Sequence, residues 1–78
     1  MPGLTWEQIV ASEAVVQFLQ RQLGHEPWLV SINVAAIGEE PVVRVTVQPG
    51  TRRARYAHLL RGDGRIGGIQ VRVRKDEG

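Results

Sequence analysis

Nine of the ten basic residues in this 78-residue sequence are arginine, and three of them lie close together in the segment TRRAR (51–55). The planar guanidinium fork suits phosphate and carboxylate ligands. The segment is expected to start a helix. At that position the positive end of the helix dipole disfavours each cation by roughly 0.3–1 kcal/mol, and a bound anion would offset this cost. We predict an anion site that includes the end of the last strand; its residues are Thr51, Arg52, Arg53, Arg55, Arg72, Arg74 and Lys75. The alternative is a solvated basic turn, partly neutralised by Asp76, Glu77 or Glu26.

Charge is divided unequally along the chain. Residues 1–43 hold one basic and five acidic residues, for a net charge of −4, whereas residues 44–78 hold nine basic and three acidic residues, for a net charge of +6. This asymmetry indicates an anionic partner or charge-guided association. A GC-rich coding sequence would also favour arginine, and that alternative stays open.

Catalytic and metal-binding patterns have little support in this sequence. There is no cysteine, and the two histidines, His25 and His58, do not have the spacing of a helical metal-binding pair. The adjacent Glu39 and Glu40 point apart in a turn, and Ser12 and Ser31 have no evident general base nearby. We therefore expect a protein that is not an enzyme and that needs no metal or cofactor. Trp6 and Trp28 are expected to close the junction between the first helix and the first strand.

The segment RGDGRIGG (61–68) contains the spacing G-x-G-x-x-G. A dinucleotide-binding loop requires this pattern between a strand and the start of a helix. Here the order is reversed, so the glycines are expected to end a helix at Gly62 and to form a tight turn. The tripeptide Arg61-Gly62-Asp63 is a chance match in a chain with no extracellular signal.

Two helices and three strands are predicted to position these residues. Thr5 and Gln8 form a capping box before a helix over residues 6–23, which Gly24 ends. Residues 28–37 and 42–48 alternate as the first and second strands, joined by the polar turn 38–41. Their inward side chains are predicted to be Val30, Ile32 and Val34 in the first strand and Val43, Val45 and Val47 in the second. Residues 51–62 predict a shorter second helix with Thr51 as its cap and with Tyr56, Leu59 and Leu60 facing inward. Residues 69–75 form the third strand.

This order, α-β-β-α-β, predicts an α+β two-layer sandwich in which both helices cover one face of a three-stranded sheet. The second and third strands are expected to be parallel, with a spatial strand order of 2-1-3. The opposite face is then open, polar and basic; it carries Ser31, Asn33, Arg44, Thr46, Gln48, Gln70, Arg72 and Arg74. Residues 1–78 form one domain with loose ends at 1–4 and 75–78. Without a signal peptide or an apolar span, we expect a cytoplasmic protein that does not enter a membrane.

The predicted strand order leaves the second strand at an edge of the sheet. Its run VVRVTV has high strand propensity and little of the lysine or proline shielding typical of edges. We predict an interaction edge formed by Val43, Arg44, Val45, Thr46 and Val47, through which the chain forms a homodimer or binds a protein partner. The alternative is a module that binds the phosphate backbone of nucleic acid without reading bases, because the open face has no aromatic residue for stacking.

Overall fold

A computed structural model describes residues 3–60 and 64–77. One long helix, α1, spans Trp6–Leu23, which confirms the predicted bounds. The capping box at its start is also confirmed. The Thr5 hydroxyl accepts a hydrogen bond from the Gln8 backbone amide at 3.2 Å, and the Gln8 side chain accepts one from the Thr5 amide at 2.8 Å. Gly24 ends the helix in the right-handed conformation (φ −60°) and not in the left-handed one that a glycine stop suggests.

Replacing the helix cap tests how much this local signal contributes to stability. Thr5→Ala removes the acceptor for the Gln8 amide, and losing an N-cap typically costs about 1 kcal/mol. In a domain of this size we expect the midpoint of thermal unfolding to fall by about 4–8 °C. Thr5→Ser keeps the oxygen and should change the midpoint little; an equal loss in both variants would contradict a role for the cap.

The strands form one mixed sheet of four members with the spatial order β1-β2-β4-β3. They are β1 (Leu29–Ile37), β2 (Glu40–Val47), β3 (Arg65–Ile66) and β4 (Ile69–Lys75). β1 and β2 form an antiparallel hairpin, β2 and β4 are parallel, and the short β3 is antiparallel to β4. The α+β class, the hairpin and the parallel pair are therefore confirmed, and β3 is a strand that the sequence analysis missed.

The predicted strand order 2-1-3 is wrong, because β4, the predicted third strand, lies beside β2 and not beside β1. Val42–Val47 pair with β4 on one side, while the same residues pair with β1 on the other. The consecutive Val42 and Val43 are both fully buried although they point to opposite faces. Burial on both faces is typical of a central strand with a parallel neighbour.

The predicted second helix over residues 51–62 is also wrong. The segment instead forms two 3₁₀ helices, Arg53–Arg55 and Ala57–Leu60. Thr51 does not cap a helix, because its hydroxyl and its amide both donate to the Gln48 carbonyl, at 2.6 and 3.1 Å. These bonds close a turn in which Gly50 has a φ of +86°. The side chains of Leu59 and Leu60, and the predicted helix end at Gly62, lie outside what the structure describes.

The core lies between α1 and one face of the sheet. A single long helix therefore covers that face, where two helices were predicted. α1 contributes Val15, Leu19 and Leu23, which pack against the valines of β2 and β4. The predicted inward residues of β2 and β4 are confirmed as core: Val43, Val45, Val47, Ile69 and Val71 are buried, and Val73 packs against them. Tyr56, at the end of the first 3₁₀ helix, belongs to the same core.

β1 departs from the predicted alternation in its first two residues. The register shifts between Leu29 and Ser31, so that Leu29 lies opposite Val47 while Ser31 lies opposite Thr46. A bulge inserts one residue and changes the face of those before it. Leu29 therefore packs against the core, and Val30, predicted to point inward, is exposed. From Ser31 to Ile37 the pairing with β2 is regular.

Glycines form the turn between β3 and β4, as the sequence predicts. Gly67 and Gly68 have φ values of +58° and +82°, which are the two positive angles that a two-residue type I′ hairpin requires. The tripeptide 61–63 lies outside the described residues. At the other end, β4 continues to Lys75 and the Asp76 amide donates to the Val47 carbonyl at 2.8 Å. Residues 75 and 76 are thus held by the sheet and are not loose. No helix in the described ranges is long and apolar enough to cross a bilayer.

Candidate interaction surfaces

The longest strand, β1, forms one edge of the sheet. It has nine residues, LVSINVAAI, and contains neither a charged residue nor a proline. Lysine, proline and other charges are what usually prevent edge strands from pairing with another chain. The register shift at Val30 interrupts the pairing of β1 with β2. Among the described residues, no further strand pairs with 31–37 on the side away from β2.

Exposed apolar side chains are concentrated on this strand and on α1. Among the described residues, the exposed large hydrophobic side chains of β1 are those of Val30, Val34 and Ile37. Of these three side chains, only Val34 lines a shallow groove of about 370 Å³ between β1 and α1. Its lining residues are Glu13, Val16, Gln17, Gln20, Ile32, Asn33 and Val34. The β1 edge therefore offers both backbone hydrogen-bonding groups and apolar contact to an incoming strand.

The opposite edge of the sheet is different. β3 has only two residues, Arg65 and Ile66, and one of them is charged. The Arg65 Nη1 donates to the Gly68 carbonyl at 3.1 Å, across the turn that follows. A short, charged edge strand is a poor template for pairing, so the two edges of this sheet are not equivalent.

The prediction that the second strand forms an edge is wrong. Each residue of the predicted interaction edge has a neighbour on both sides, since β2 pairs with β1 and with β4. These residues are Val43, Arg44, Val45, Thr46 and Val47. Their backbone groups are used inside the sheet and are not available to a partner.

The face of the sheet opposite α1 carries a row of arginines. Arg44 on β2 lies directly beside Arg72 on β4, and Arg74 lies beside Thr46. Arg72 and Arg74 are exposed and Arg44 is half-buried. With its amide oxygen turned toward Arg72, Gln70 accepts hydrogen bonds from Nε at 3.2 Å and from Nη2 at 3.3 Å. The register confirms that these residues share a face with Ser31 and Asn33. We call Arg44, Arg72 and Arg74 the arginine row.

The residues of the predicted anion site lie on different elements. Arg72 and Arg74 lie on the face opposite α1, whereas Arg52, Arg53 and Arg55 lie in a segment anchored by Tyr56 in the core beneath α1. The Thr51 amide is not free, because it donates to Gln48. Lys75 does emerge beside the Gln48–Thr51 turn, as predicted, but the depression there is also lined by Asp76 and Glu77.

The remaining candidate residues lie apart from one another. His25 follows α1 and its Nε2 is 3.4 Å from Glu26 Oε1, while His58 is in the second 3₁₀ helix. In the part of the chain that the structure describes, no three His, Asp or Glu side chains cluster as metal ligands.

The two tryptophans have different environments. Trp28 closes the junction after α1 as predicted: its indole N–H donates to Glu26 Oε2 at 2.8 Å, and its ring centre is 6.4 Å from that of Tyr56. The same expectation for Trp6 is wrong, because that side chain is 76 % exposed.

No family model matches this chain, and neither a curated protein nor a solved structure matches it. Its function must therefore be inferred from its own surfaces.

The residues of the β1 edge were missed as a site because the predicted strand order placed β1 in the centre of the sheet. A signal was nevertheless present in the sequence. β1 is the only one of the three long strands without a charged residue, since β2 contains Arg44 and β4 contains Arg72, Arg74 and Lys75. Uncharged strands are usual in a sheet centre, and for that reason this signal alone does not identify an edge.

Proposed function

We propose that this protein is a small non-catalytic interaction module that pairs with a second copy of itself through the edge of β1. The observation that carries the proposal is the combination found on this strand: nine residues at a sheet edge, no charge, and three exposed apolar side chains. Antiparallel pairing of two such edges would join two four-stranded sheets into one of eight strands.

A second copy is favoured over an unrelated peptide by the absence of charge. In a two-fold symmetric interface, residues near the axis meet their own counterparts, so any charged residue there would face a like charge. Antiparallel self-pairing of the regular segment 31–37 places its middle residue, Val34, opposite the Val34 of the other copy. No residue from Leu29 to Ile37 would then meet a like charge.

A charge introduced at the middle of the edge tests the proposal. Val34→Lys places two ammonium groups face to face at the axis and gives β1 the protection that natural edges have. We expect the unmodified protein to sediment with twice the 8.7 kDa mass of one chain as its concentration rises, and the variant to remain at 8.7 kDa. The amides of residues 31–37 that point away from β2 should exchange with solvent faster in the variant, while those bonded to β2 and those of β2 itself should not change.

Val10→Lys is the matched control. It makes the same substitution at a valine of similar exposure, 48 % against 39 % for Val34, but on α1. The control should still form the dimer. A protein that stays at the mass of one chain at every concentration, or a control that dissociates as readily as Val34→Lys, would contradict self-pairing through β1. Circular dichroism establishes that both variants are folded.

A further inference from the structure

We propose that the arginine row binds the phosphate backbone of nucleic acid without reading its bases. This inference does not depend on the dimer, because Arg44, Arg72 and Arg74 lie on β2 and β4 and not on the β1 edge. It also differs from the anion site predicted at the 51–55 segment, because Arg44 was not part of that site and the 51–55 residues are not part of the arginine row.

The first argument is an uncompensated charge. Arg44 and Arg72 are direct neighbours in the parallel register, and like charges side by side in a sheet are destabilising. On the described part of that face, the acidic residues lie at its two ends: Glu40 at the start of β2, and Asp76 directly after β4. Asp76 is four residues from Arg72. Glu40 is four residues from Arg44, or about 13 Å along the strand. A bound anion would supply the missing negative charge.

The second argument is the geometry of the guanidinium groups. With its amide oxygen turned toward Arg72, Gln70 accepts from Nε and Nη2. Both N–H groups of Nη1 and the second N–H of Nη2 then remain for another ligand. Arginine binds phosphate oxygens through two parallel hydrogen bonds. Arg72 and Arg74 are two residues apart on one face, about 6.6 Å along the strand, so that they can contact successive phosphates of one strand. Arg44, on the neighbouring strand, widens the row.

The third argument concerns what else could supply phosphate. A lipid surface is bound by cations together with apolar side chains on the same side of the molecule. Here the exposed Trp6 and Phe18 are on α1, whereas the arginine row is on the opposite face of the sheet. No aromatic residue lies on that face among the described residues of β1, β2 and β4, so bases cannot stack on it as they do on RNA-binding sheets.

Fluorescence anisotropy with labelled oligothymidylate at several salt concentrations tests this inference. Three phosphate contacts predict that the logarithm of the association constant falls with the logarithm of salt concentration with a slope of about −2 for a single strand. Arg44→Gln/Arg72→Gln leaves one contact, and its slope should be about −0.7. Oligoadenylate should bind about as tightly as oligothymidylate, because no base is read.

Arg52→Gln/Arg53→Gln is the matched control, since it removes the same charge from a different part of the molecule. It should keep the slope of the unmodified protein. Equal losses in both double variants would show attraction to net charge only and overturn the proposal, as would binding to phosphatidylglycerol vesicles without binding to either oligonucleotide. The Val34→Lys variant should bind oligothymidylate with an unchanged slope, so this proposal and the proposed dimer can fail separately. A thermal midpoint at or above that of the unmodified protein establishes that Arg44→Gln/Arg72→Gln is folded.

Discussion

Leu19→Ala is expected to lower the free energy of unfolding by about 3–5 kcal/mol, because it removes a fully buried side chain from the middle of the only contact layer between α1 and the sheet. Total stability for a chain of this length is on the order of 4–12 kcal/mol. The variant should thus lose a large part of its stability. Its thermal midpoint should fall by about 12–40 °C, measured by circular dichroism.

The neighbouring residue provides the control for this core substitution. Phe18 is larger than Leu19 but is 47 % exposed on the outer side of α1. Phe18→Ala should therefore cost less than about 1 kcal/mol, in line with ordinary surface substitutions. If Phe18→Ala proved as destabilising as Leu19→Ala, α1 would not pack against the sheet through the Val15, Leu19 and Leu23 side.

The elements that the sequence predicts well are those specified by neighbouring residues. α1 begins where Thr5 and Gln8 can satisfy each other's backbone groups, and both of these residues are visible in the sequence. The inward valines of β2 and β4 follow from simple alternation. The same kind of local information also gives the β3–β4 turn, since only glycine adopts both positive φ angles at Gly67 and Gly68 without strain.

Strand order is not specified locally, and for that reason it was predicted wrongly. The choice between placing β4 beside β1 or beside β2 depends on where the connection 48–68 crosses the sheet. That path depends in turn on Tyr56 packing in the core and on the turn closed by Thr51. The relevant signal was the pair Val42 and Val43: adjacent valines point to opposite faces of a strand, and both are fully buried. Such a pair indicates a strand flanked by neighbours on both sides.

The predicted sites depended on the strand order, so the error carried over to them. With β2 in the centre, the unprotected edge moves to β1, and the self-association hypothesis now rests on residues 29–37. The prediction that Arg44, Arg72 and Arg74 share a face is confirmed by the register, because it depends only on alternation within strands. The arginines of the 51–55 segment were grouped with it by assuming a helix that does not form.

Proline substitutions should affect folding very differently in the central strand β2 and in the edge strand β1. Arg44→Pro and Val45→Pro should both unfold the domain, because every backbone N–H in a central strand points to a neighbouring strand. Each substitution leaves a buried carbonyl without a partner, at about 1–3 kcal/mol, in addition to the collision of the proline ring with the adjacent strand. The natural Pro41 is consistent with this rule, since β2 begins to pair with β4 only at Val42.

In β1 the outcome should alternate between adjacent residues. Of Asn33→Pro and Val34→Pro, one removes an N–H that bonds to β2, while the other removes an N–H that points away from the sheet. Exactly one of the two variants should therefore fold, as judged by a cooperative thermal transition. The folded one should sediment at the mass of a single chain, because the lost N–H is one that the second copy needs. If both β1 variants unfolded as Val45→Pro does, β1 would be paired on both sides within one chain, and its edge would not be free to bind a second copy.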